Sequence, residues 1–497
     1  MSMEKVAIIN LNETALELSI YKVCGGKSEL ALAQRQTFAL GKEIAREELL
    51  SPQLKNSIIE ILKVYRKMIE NYEVKKIIPI VADVLVKARN YRGFLDEIYN
   101  NTGLNFTIMT EEDQIKYLFN AVVNSIDSAK GVYVHIGAYS SYIVKYNRRT
   151  VLESVSIPYG TYNLNENGEQ DLDDVVKMLK KQVSAKSFAD EIDEDFKFVG
   201  LGNSFLAMGK IAKKIERYPL DIDNNYVVSK DTLDKTYAFI KGLELDKIRK
   251  IKGVDFDDAP QISAGLALIK AIAETYKIKE VVVSTAEMKF GVLNANLLSL
   301  SQERFNDILA CSLESFYEFN KNEFSINSQV YNMAIVLFKQ LKVMHKLPRF
   351  YVKPLRVASY MYDSGKCINI ENYEKHGLEK IVYSDIKGIS HRELLIAGFI
   401  CLCQNLDNFS LNEWIKYKDI LTDEDLDAVR KLGIVVKLAV ALNASRKVVV
   451  QDVVCDILGD SIIMKTVVEG DASYELLEGM KVAQDYKKVY KKSLQII

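Results

Sequence analysis

Residues 6–18 read VAIINLNETALEL, and residues 132–144 read VYVHIGAYSSYIV. Each segment is an apolar strand that enters a short polar turn and returns as a second apolar strand. This repeat is typical of a duplicated, two-lobed core whose tight turns present backbone N–H groups to phosphate oxygens. In such a core, a carboxylate at the strand end recruits a metal ion. In this sequence both turns are present, but much of the chemistry that such a core uses at its turns and strand ends is replaced.

Four short motifs follow one another along the chain: Asn10–Ala15, Ile108–Asp113, His135–Tyr142 and Gly200–Ser204. In order and spacing they resemble the Asp-Leu-Gly-Ser-Asn-Ser, Ser-Gly-x-Glu-Glu-Ala, Asp-Ile-Gly-Gly-Gly-Ser-Thr-Glu and Gly-x-Gly-Gly-Thr segments of one family. This is the exopolyphosphatase / guanosine pentaphosphate phosphohydrolase (Ppx/GppA) family of the actin-like superfamily. Each motif alone is weak, and their order and spacing together identify the chain as a divergent member.

The resemblance implies an α/β fold with two actin-like (ribonuclease H-like) lobes, an all-α HD-like domain and a small C-terminal α+β piece. The expected domain bounds are residues 1–127 (lobe I), 128–299 (lobe II), 300–447 (the HD-like domain) and 448–497 (the C-terminal piece). An active HD site needs a His-Asp pair and further histidines as metal ligands, but Tyr362-Asp363 stands at the pair. A metal-dependent phosphohydrolase is therefore not expected in the helical domain.

Hydrophobic periodicity outlines the elements around these motifs. Apolar residues recur at helical spacing over Glu43–Tyr72, which predicts an amphipathic helical stretch. Glu112–Ser125 predicts a second helix, whose acidic first turn suits the positive end of the helix dipole. The chain becomes almost entirely helical from about residue 300, and after Arg446 it returns to short strands.

Composition limits the partners of the protein. Lys and Arg number 66 against 67 Asp and Glu, so there is no overall electrostatic bias toward nucleic acid or membranes. No apolar run approaches the length of a membrane span, and the N-terminus lacks a basic-then-apolar leader. The six cysteines are scattered at spacings that do not suit zinc. We therefore expect a cytoplasmic protein without a membrane partner and without specific nucleic-acid binding.

The catalytic candidates are two adjacent carboxylates. By resemblance, Glu112 matches the family's water-activating Glu, and Glu111 stands beside it as a fallback. Cleavage of a phosphoanhydride depends mostly on positioning and charge stabilisation, so a base is credible only where its neighbours hold a water on it. The alternative is that Glu112 merely favours the helix dipole, worth about 0.3–1 kcal/mol.

The resemblance also implies a phosphate cradle formed by backbone and hydroxyl groups at the turns. Its expected members are Asn12, Glu13, Thr14, Gly137, Ser140, Ser141, Gly200, Gly202, Asn203 and Ser204. The family's phosphate-facing Arg is replaced by Val86, which cannot pair with phosphate. Tyr139 stands where the family has Gly, and its ring is expected to fill space that phosphate would use. Asn12 also replaces a Gly, and because Asn tolerates a left-handed backbone it is expected to keep its turn.

The family's two metal-facing Asp residues are replaced by Asn10 and His135. Asn10 offers an oxygen without charge, and imidazole is a poor ligand for a hard ion such as Mg²⁺. Mg²⁺ is accordingly expected only if the protein is active. His135 either donates a hydrogen bond to phosphate or is satisfied by the backbone.

Three functions remain open. One is a catalytically silent protein whose cleft recognises polyphosphate or a guanosine polyphosphate. A second is a working exopolyphosphatase or pppGpp phosphohydrolase that uses Glu112, with Mg²⁺ held partly by the substrate. The third is a structural or regulatory dimer partner, and the resemblance suggests a homodimer in any case. A silent phosphate binder should retain Lys and Arg in its groove, which distinguishes it from a structural protein.

Overall fold

The computed structural model describes residues 3–165, 171–185, 187–254, 256, 258–297, 305–320 and 324–497. The chain forms two compact units, Met1–Ile308 and Leu309–Ile497. The expected boundary between residues 299 and 300 lies outside the described residues. The first unit contains both lobes and the second contains the helical part with the C-terminal sheet.

Lobe I is built on a five-stranded sheet in the order β3-β2-β1-β4-β5. Its elements are β1 (Glu4–Leu11), β2 (Ala15–Cys24), β3 (Lys27–Thr37), α1 (Leu40–Glu47), α2 (Pro52–Asn71), β4 (Lys76–Ala82), α3 (Tyr91–Thr102), β5 (Thr107–Met109) and α4 (Glu111–Val123). β1 pairs antiparallel with β2 and parallel with β4. Since β1 is central, its side chains are buried on both faces.

The helical stretch predicted over Glu43–Tyr72 is present, but it is divided into two helices. α1 ends where Glu48 adopts a left-handed φ of 50°. α2 then begins with Ser51, whose side chain accepts from the backbone N–H of Leu54, and with Pro52 in the first turn. Ser at the N-cap and Pro at the first helical position favour a new helix start, which the apolar periodicity alone does not reveal.

Lobe II repeats this plan in a six-stranded sheet of order β10-β11-β9-β6-β7-β8. Its elements are β6 (Lys130–Ile136), β7 (Ser141–Asn147), β8 (Thr150–Ile157), α5 (Thr161–Asn165), α6 (Leu172–Ser184), β9 (Lys197–Leu201), α7 (Asn203–Ile215), β10 (Tyr226–Ser229), α8 (Lys230–Lys241), α9 (Leu245–Ile248), α10 (Ala259–Thr275), β11 (Glu280–Val283) and α11 (Met288–Leu297). β6 pairs antiparallel with β7 and parallel with β9, as β1 does with β2 and β4. The two lobes therefore share the actin-like, ribonuclease H-like strand order, and only β10 is added.

Strand register makes the two turns equivalent. Asn10 pairs with Glu17 in the ladder next to the first turn, and His135 pairs with Tyr142 in the ladder next to the second. Each is the penultimate residue of the first strand of its lobe. The last helix of this unit, α11, packs Val292 against the lobe I sheet, so it contributes to both lobes.

The described part of the second unit is helical as far as Ala441, and three strands and two more helices follow. Its elements are α12 (Ile308–Asn320), α13 (Phe324–Gln340), α14 (Lys342–His345), α15 (Val352–Tyr360), α16 (Tyr373–Val382), α17 (His391–Leu402), α18 (Leu411–Ile415), α19 (Asp423–Ala441), β12 (Val450–Ile457), β13 (Ser461–Val468), α20 (Ser473–Lys481), α21 (Ala483–Tyr490) and β14 (Ser493–Ile496). α17 is buried along most of its length and is packed by α15, α16 and α19. The three C-terminal strands form their own sheet. The HD-like character of this unit stays a prediction.

A buried carboxylate network ties α17 to α19. The Asp425 side chain is fully buried and accepts from Nε and Nη2 of Arg392 at 3.0 and 3.1 Å. It also accepts from the hydroxyl of Tyr351 at 2.8 Å and from the backbone N–H of Thr422 at 2.9 Å. Burial alone would raise the pKa of Asp425, but these donors and the guanidinium charge lower it.

Across the described part of the chain, no helix is both long and apolar enough to cross a membrane. Within the same residues, no three His, Cys, Asp or Glu side chains are grouped as metal ligands would be. Asp363, at the expected HD position, instead accepts from Nδ2 of Asn327 at 3.1 Å.

Candidate functional site

A cavity of about 310 Å³ opens where the ends of β1 and β6 meet, and both lobes line it. Because the carboxyl ends of parallel strands meet at one sheet edge, such clefts commonly form binding sites. The lining residues are Asn10, Asn12, Glu13, Thr14, Glu17, Arg35, Ala82, Gln114, Leu118, His135, Ile136, Gly137, Ala138, Thr161, Tyr162, Gly202, Asn203, Ser204, Leu206, Ala207, Lys210, Gly253, Val254, Asp258, Gln261, Ile262, Ala286, Glu287 and Met288.

The first turn is closed by the side chain of Asn12. Its Oδ1 accepts from the backbone N–H of Thr14 at 2.9 Å, from that of Ala15 at 2.8 Å and from the Thr14 hydroxyl at 3.2 Å. Asn12 is not among the residues with positive φ, so it does not keep the turn through a left-handed backbone, as the sequence suggested. Asn12 instead stabilises the turn as an Asx cap. Its side-chain oxygen accepts hydrogen bonds from N–H groups that such turns otherwise offer to phosphate.

The second turn holds its shape without left-handed residues. Neither Gly137, Ala138 nor Tyr139 has a positive φ, which explains why Ala and Tyr are tolerated at positions where the family has Gly. The backbone N–H of Gly137 donates to the carbonyl of Ser140 at 2.9 Å. Gly160 allows the turn to pack closely, because a Cβ there would overlap the Ala138 carbonyl and the backbone nitrogen of Tyr139.

Tyr139 reaches from the second turn into lobe I. A Cβ built on Gly41, in the first turn of α1, would overlap Cε2 of Tyr139, and would lie 3.2 Å from its Cδ2. The same position is 3.1 Å from Cβ of Glu13 in the first turn. The ring also lies 6.0 Å from that of Tyr162 between centroids. The ring therefore packs in the space between the two turns, as the sequence suggested.

The residues at the two strand ends both face the cavity, and the side chains of both are uncharged. Asn10 is only 8% exposed, and its Oδ1 is buried without a hydrogen-bond partner. Nδ1 of His135 is likewise buried without one. Burial lowers the pKa of His135 to about 4, so the imidazole is neutral near pH 7. A neutral amide and a neutral imidazole do not form the oxygen-rich, anionic donor set that Mg²⁺ needs, so these positions do not fit the ion.

The predicted base and the cavity-facing residue of α4 are different residues. Glu111 and Glu112 are exposed in the first turn of α4 and do not line the cavity. Gln114, one turn along, does line it. Its Nε2 donates to Oδ1 of Asp83 at 3.1 Å and to the carbonyl of Met109 at 3.3 Å. The assignment of Glu112 as base stays a prediction, while the polar side chain that α4 presents to the cavity is an amide.

One face of α7 forms part of the lobe II wall. Gly202 begins this helix with φ of 91°, which favours glycine, and Asn203, Ala207 and Lys210 follow at helical spacing. These residues bring the helix N-terminus, an apolar patch and a cation into the cavity in that order. Gly200 does not line the cavity. A Cβ at this position would overlap the Phe205 ring, so this glycine serves packing.

Charges at the cavity are mixed in sign. Among the described lining residues, the cations are Arg35 and Lys210, and the carboxylates are Glu13, Glu17, Asp258 and Glu287. Arg35 lies 3.6 Å from Oε1 of Glu17 and 3.9 Å from Oδ1 of Asp258, so it joins the two lobes. Burial raises the pKa of Glu13, and the nearby charge of Asp83 adds to this, which moves the carboxyl toward its neutral form.

The structure thus brings together most of the residues predicted from sequence. Both strand-end residues line the cavity, as do seven of the predicted phosphate ligands: Asn12, Glu13, Thr14, Gly137, Gly202, Asn203 and Ser204. Ser140, Ser141 and Gly200 do not line it, and the Ser141 hydroxyl donates to the carbonyl of Tyr159 at 2.8 Å. Their role as phosphate ligands stays a prediction.

Arg35, Gln114 and Lys210 line the cavity but were not among the residues predicted from the sequence. Arg35 lies on β3, which carries no motif, and Lys210 is separated from the Gly202 turn by two helical turns. Gln114 could have been identified from the motif, because it directly follows the capping segment Thr110–Asp113.

Comparison with known proteins agrees with this architecture. The sequence model of the Ppx/GppA phosphatase family matches residues 19–300, more than half of the chain. A crystal structure of the Ppx/GppA family member from Aquifex aeolicus superposes with a TM-score of 0.54 at 23% identity, over 61% of this chain and 100% of that one. An exopolyphosphatase from Cytophaga hutchinsonii gives a TM-score of 0.54 at 15% identity, over 59% of this chain and 98% of that one. At these identities the likeness shows a shared fold.

A curated relative is the bifunctional 3-dehydroquinate synthase/phosphatase of Fusobacterium nucleatum. It is 21% identical over an alignment of 273 residues, and the match covers 51% of this chain and 40% of the relative. The chain therefore spans less than half the length of that relative.

Proposed function

Because this chain belongs to the Ppx/GppA phosphatase family, we propose that its interlobe cavity binds a phosphate ligand of the family's kind without hydrolysing it. The ligand is a guanosine polyphosphate or a short polyphosphate. The single observation that carries the proposal is that α4 presents Gln114, an amide, to a cavity that both turns line. An amide does not take up a proton from water at neutral pH, so it cannot serve as the general base.

The register of the α4 motif supports this reading. Thr110 is the N-cap of α4, and its side chain accepts from the N–H of Asp113. If Thr110 matches the Ser of Ser-Gly-x-Glu-Glu-Ala, the family's two Glu positions fall on Asp113 and Gln114. This register is shifted by two residues from the one that selects Glu112. It places the water-activating position on the side chain that reaches the cavity.

The strand-end residues point the same way. A phosphoanhydride hydrolase neutralises the charge that develops on the transferred phosphoryl group, usually with a divalent cation. Asn10 and neutral His135 contribute no negative charge to attract such a cation. The matched positions on α4 and at the strand ends therefore supply neither a base nor an anionic metal ligand, whereas binding requires neither.

The charge and shape of the cavity favour a guanosine polyphosphate over a long polyphosphate chain. Carboxylates outnumber cations among the described lining residues, which opposes a ligand with many phosphates. The α7 face combines an N-terminus and Lys210, suited to a few phosphates, with the apolar Leu206 and Ala207. Val254 and Ile262 continue this apolar wall, against which a purine can pack.

Binding is tested by calorimetry with ppGpp, pppGpp, tripolyphosphate and long-chain polyphosphate, each with and without Mg²⁺. We expect the guanosine nucleotides to bind more tightly than the long chain. Lys210→Ala should weaken this binding about tenfold, as expected for loss of a charged hydrogen bond. Lys214→Ala is the matched control, because Lys214 is exposed one turn further along the same helix. If none of the four ligands binds, the proposal is contradicted.

Hydrolysis is tested by phosphate release from pppGpp and polyphosphate with Mg²⁺ or Mn²⁺. We expect no release above the uncatalysed background, and no difference between the wild type and Glu112→Gln. Release that Glu112→Gln abolishes would establish an active enzyme with the base predicted from sequence. A homodimer, also predicted from the family, is checked by light scattering on the same samples.

A further inference from the structure

We propose that Tyr139 determines which ligands this cavity accepts, because its ring closes the position between the two turns and joins the lobes there. The inference rests on the proposed function in so far as the cavity binds phosphate ligands. The contact itself does not depend on any ligand.

The first support is the place of the ring. It lies against Gly41 so closely that a single methyl group on that glycine would overlap Cε2. Gly41 in turn is fixed to the first turn, since its backbone N–H donates to the carbonyl of Glu13 at 2.8 Å. A residue of the second turn therefore packs directly on the segment that carries the first.

The second support is the way the backbone of Tyr139 is held. Nδ2 of Asn163 donates to the carbonyl of Tyr139 at 3.2 Å, and Oδ1 of the same side chain accepts from the N–H of Gly160 at 2.8 Å. The N–H of Tyr162 donates to the carbonyl of Ala138 at 2.8 Å. The start of α5 thus holds the backbone of the second turn, from which the ring extends toward lobe I.

The third support is that the cavity ends beside this ring. Ala138 and Glu13 line the cavity, but Tyr139 and Gly41 do not. The first turn is also occupied from its own side, because the Asn12 carboxamide oxygen takes the N–H groups of Thr14 and Ala15. At the turns, two side chains of this protein thus occupy N–H donors and space that a terminal phosphate would otherwise use, while the open cavity extends from the strand ends along α7.

The contact between the lobes is tested by a double-mutant cycle on thermal unfolding. Gly41→Ala should lower the Tm of the wild type by at least about 3 °C, because the added methyl overlaps the ring. In the Tyr139→Ala background the same substitution should no longer lower the Tm, since Ala is the better helix former once the ring is gone. Equal effects of Gly41→Ala in both backgrounds would overturn the inference.

The effect on ligand choice is tested by calorimetry with inorganic tripolyphosphate. Tyr139→Gly should bind it at least about tenfold more tightly than the wild type, a difference of about 1.4 kcal/mol. Tyr139→Phe keeps the ring and should bind like the wild type. A thermal cycle that shows coupling without tighter tripolyphosphate binding by Tyr139→Gly would overturn the role in ligand choice. Failure of the wild type to bind guanosine nucleotides would refute only the proposed function, because the cycle needs no ligand.

Discussion

Removal of the Asn12 carboxamide tests the claim that the first turn is stabilised from within. Asn12→Ala deletes three hydrogen bonds at once, to the N–H of Thr14, the N–H of Ala15 and the hydroxyl of Thr14. A hydrogen bond contributes about 0.5–1.5 kcal/mol net, and a buried donor left unpaired costs about 1–3 kcal/mol. Ala15 is fully buried, whereas Thr14 is partly exposed, so water replaces the acceptor at Thr14 only.

We therefore expect Asn12→Ala to lower the free energy of unfolding by about 2–3 kcal/mol, most of it from the buried N–H of Ala15. The measurement is urea unfolding of the full chain, followed by tyrosine fluorescence and circular dichroism. Two controls separate the contributions. Asn12→Asp keeps an acceptor at the same place and should lose about 1 kcal/mol or less, and Thr14→Val removes only the 3.2 Å bond from the hydroxyl.

Two results would refute this reasoning. A loss below about 0.5 kcal/mol for Asn12→Ala would mean that the turn holds itself through its backbone alone. An equal loss for Asn12→Asp would mean that the side chain matters through its shape and not through its acceptor. In either case the first turn would remain open to an external phosphate.

Three further outcomes follow from the same structure. Burial lowers the pKa of His135 from 6.5 to about 4, so the unfolded chain binds a proton before the folded protein does as the pH falls. The free energy of unfolding should therefore fall between pH 6.5 and 4, and His135→Gln should flatten this slope in pH-dependent unfolding. Gln114→Glu replaces the amide that donates to the Asp83 carboxylate with a second carboxylate, so the Tm should be lower at pH 7 and less so at pH 5. The variant protein should release no phosphate from pppGpp. Asp425→Ala removes a buried acceptor from Arg392, Tyr351 and Thr422 and should cost about 1–3 kcal/mol in urea unfolding, while Asp423→Ala, exposed in the same helical turn, should cost less than about 1 kcal/mol.

The core strands could be predicted from the sequence, but some of the elements around them could not. β1 and β6 are short apolar runs followed by polar turns, so local pattern is enough to place them. β3 is different, because all of its side chains are at least partly exposed and its short apolar run, Leu30–Ala33, lies between polar ends that carry no motif. The break between α1 and α2 depends on the capping chemistry of Ser51 and Pro52, which the apolar periodicity hides.

What the sequence by itself determined is the duplicated two-lobed plan and the loss of charge at its strand ends. Asn10 and His135 occupy equivalent register positions, and their identity alone removes the anionic ligands a divalent cation needs. Only the tertiary structure decided which side chains face the cavity. One residue of shift along α4 rotates a side chain by about 100°, so a motif with two or three adjacent carboxylates does not say which of them points inward. Packing against Asp83 and Met109 turns Gln114 toward the cavity, and close approach of the lobes sets the Tyr139 ring on Gly41.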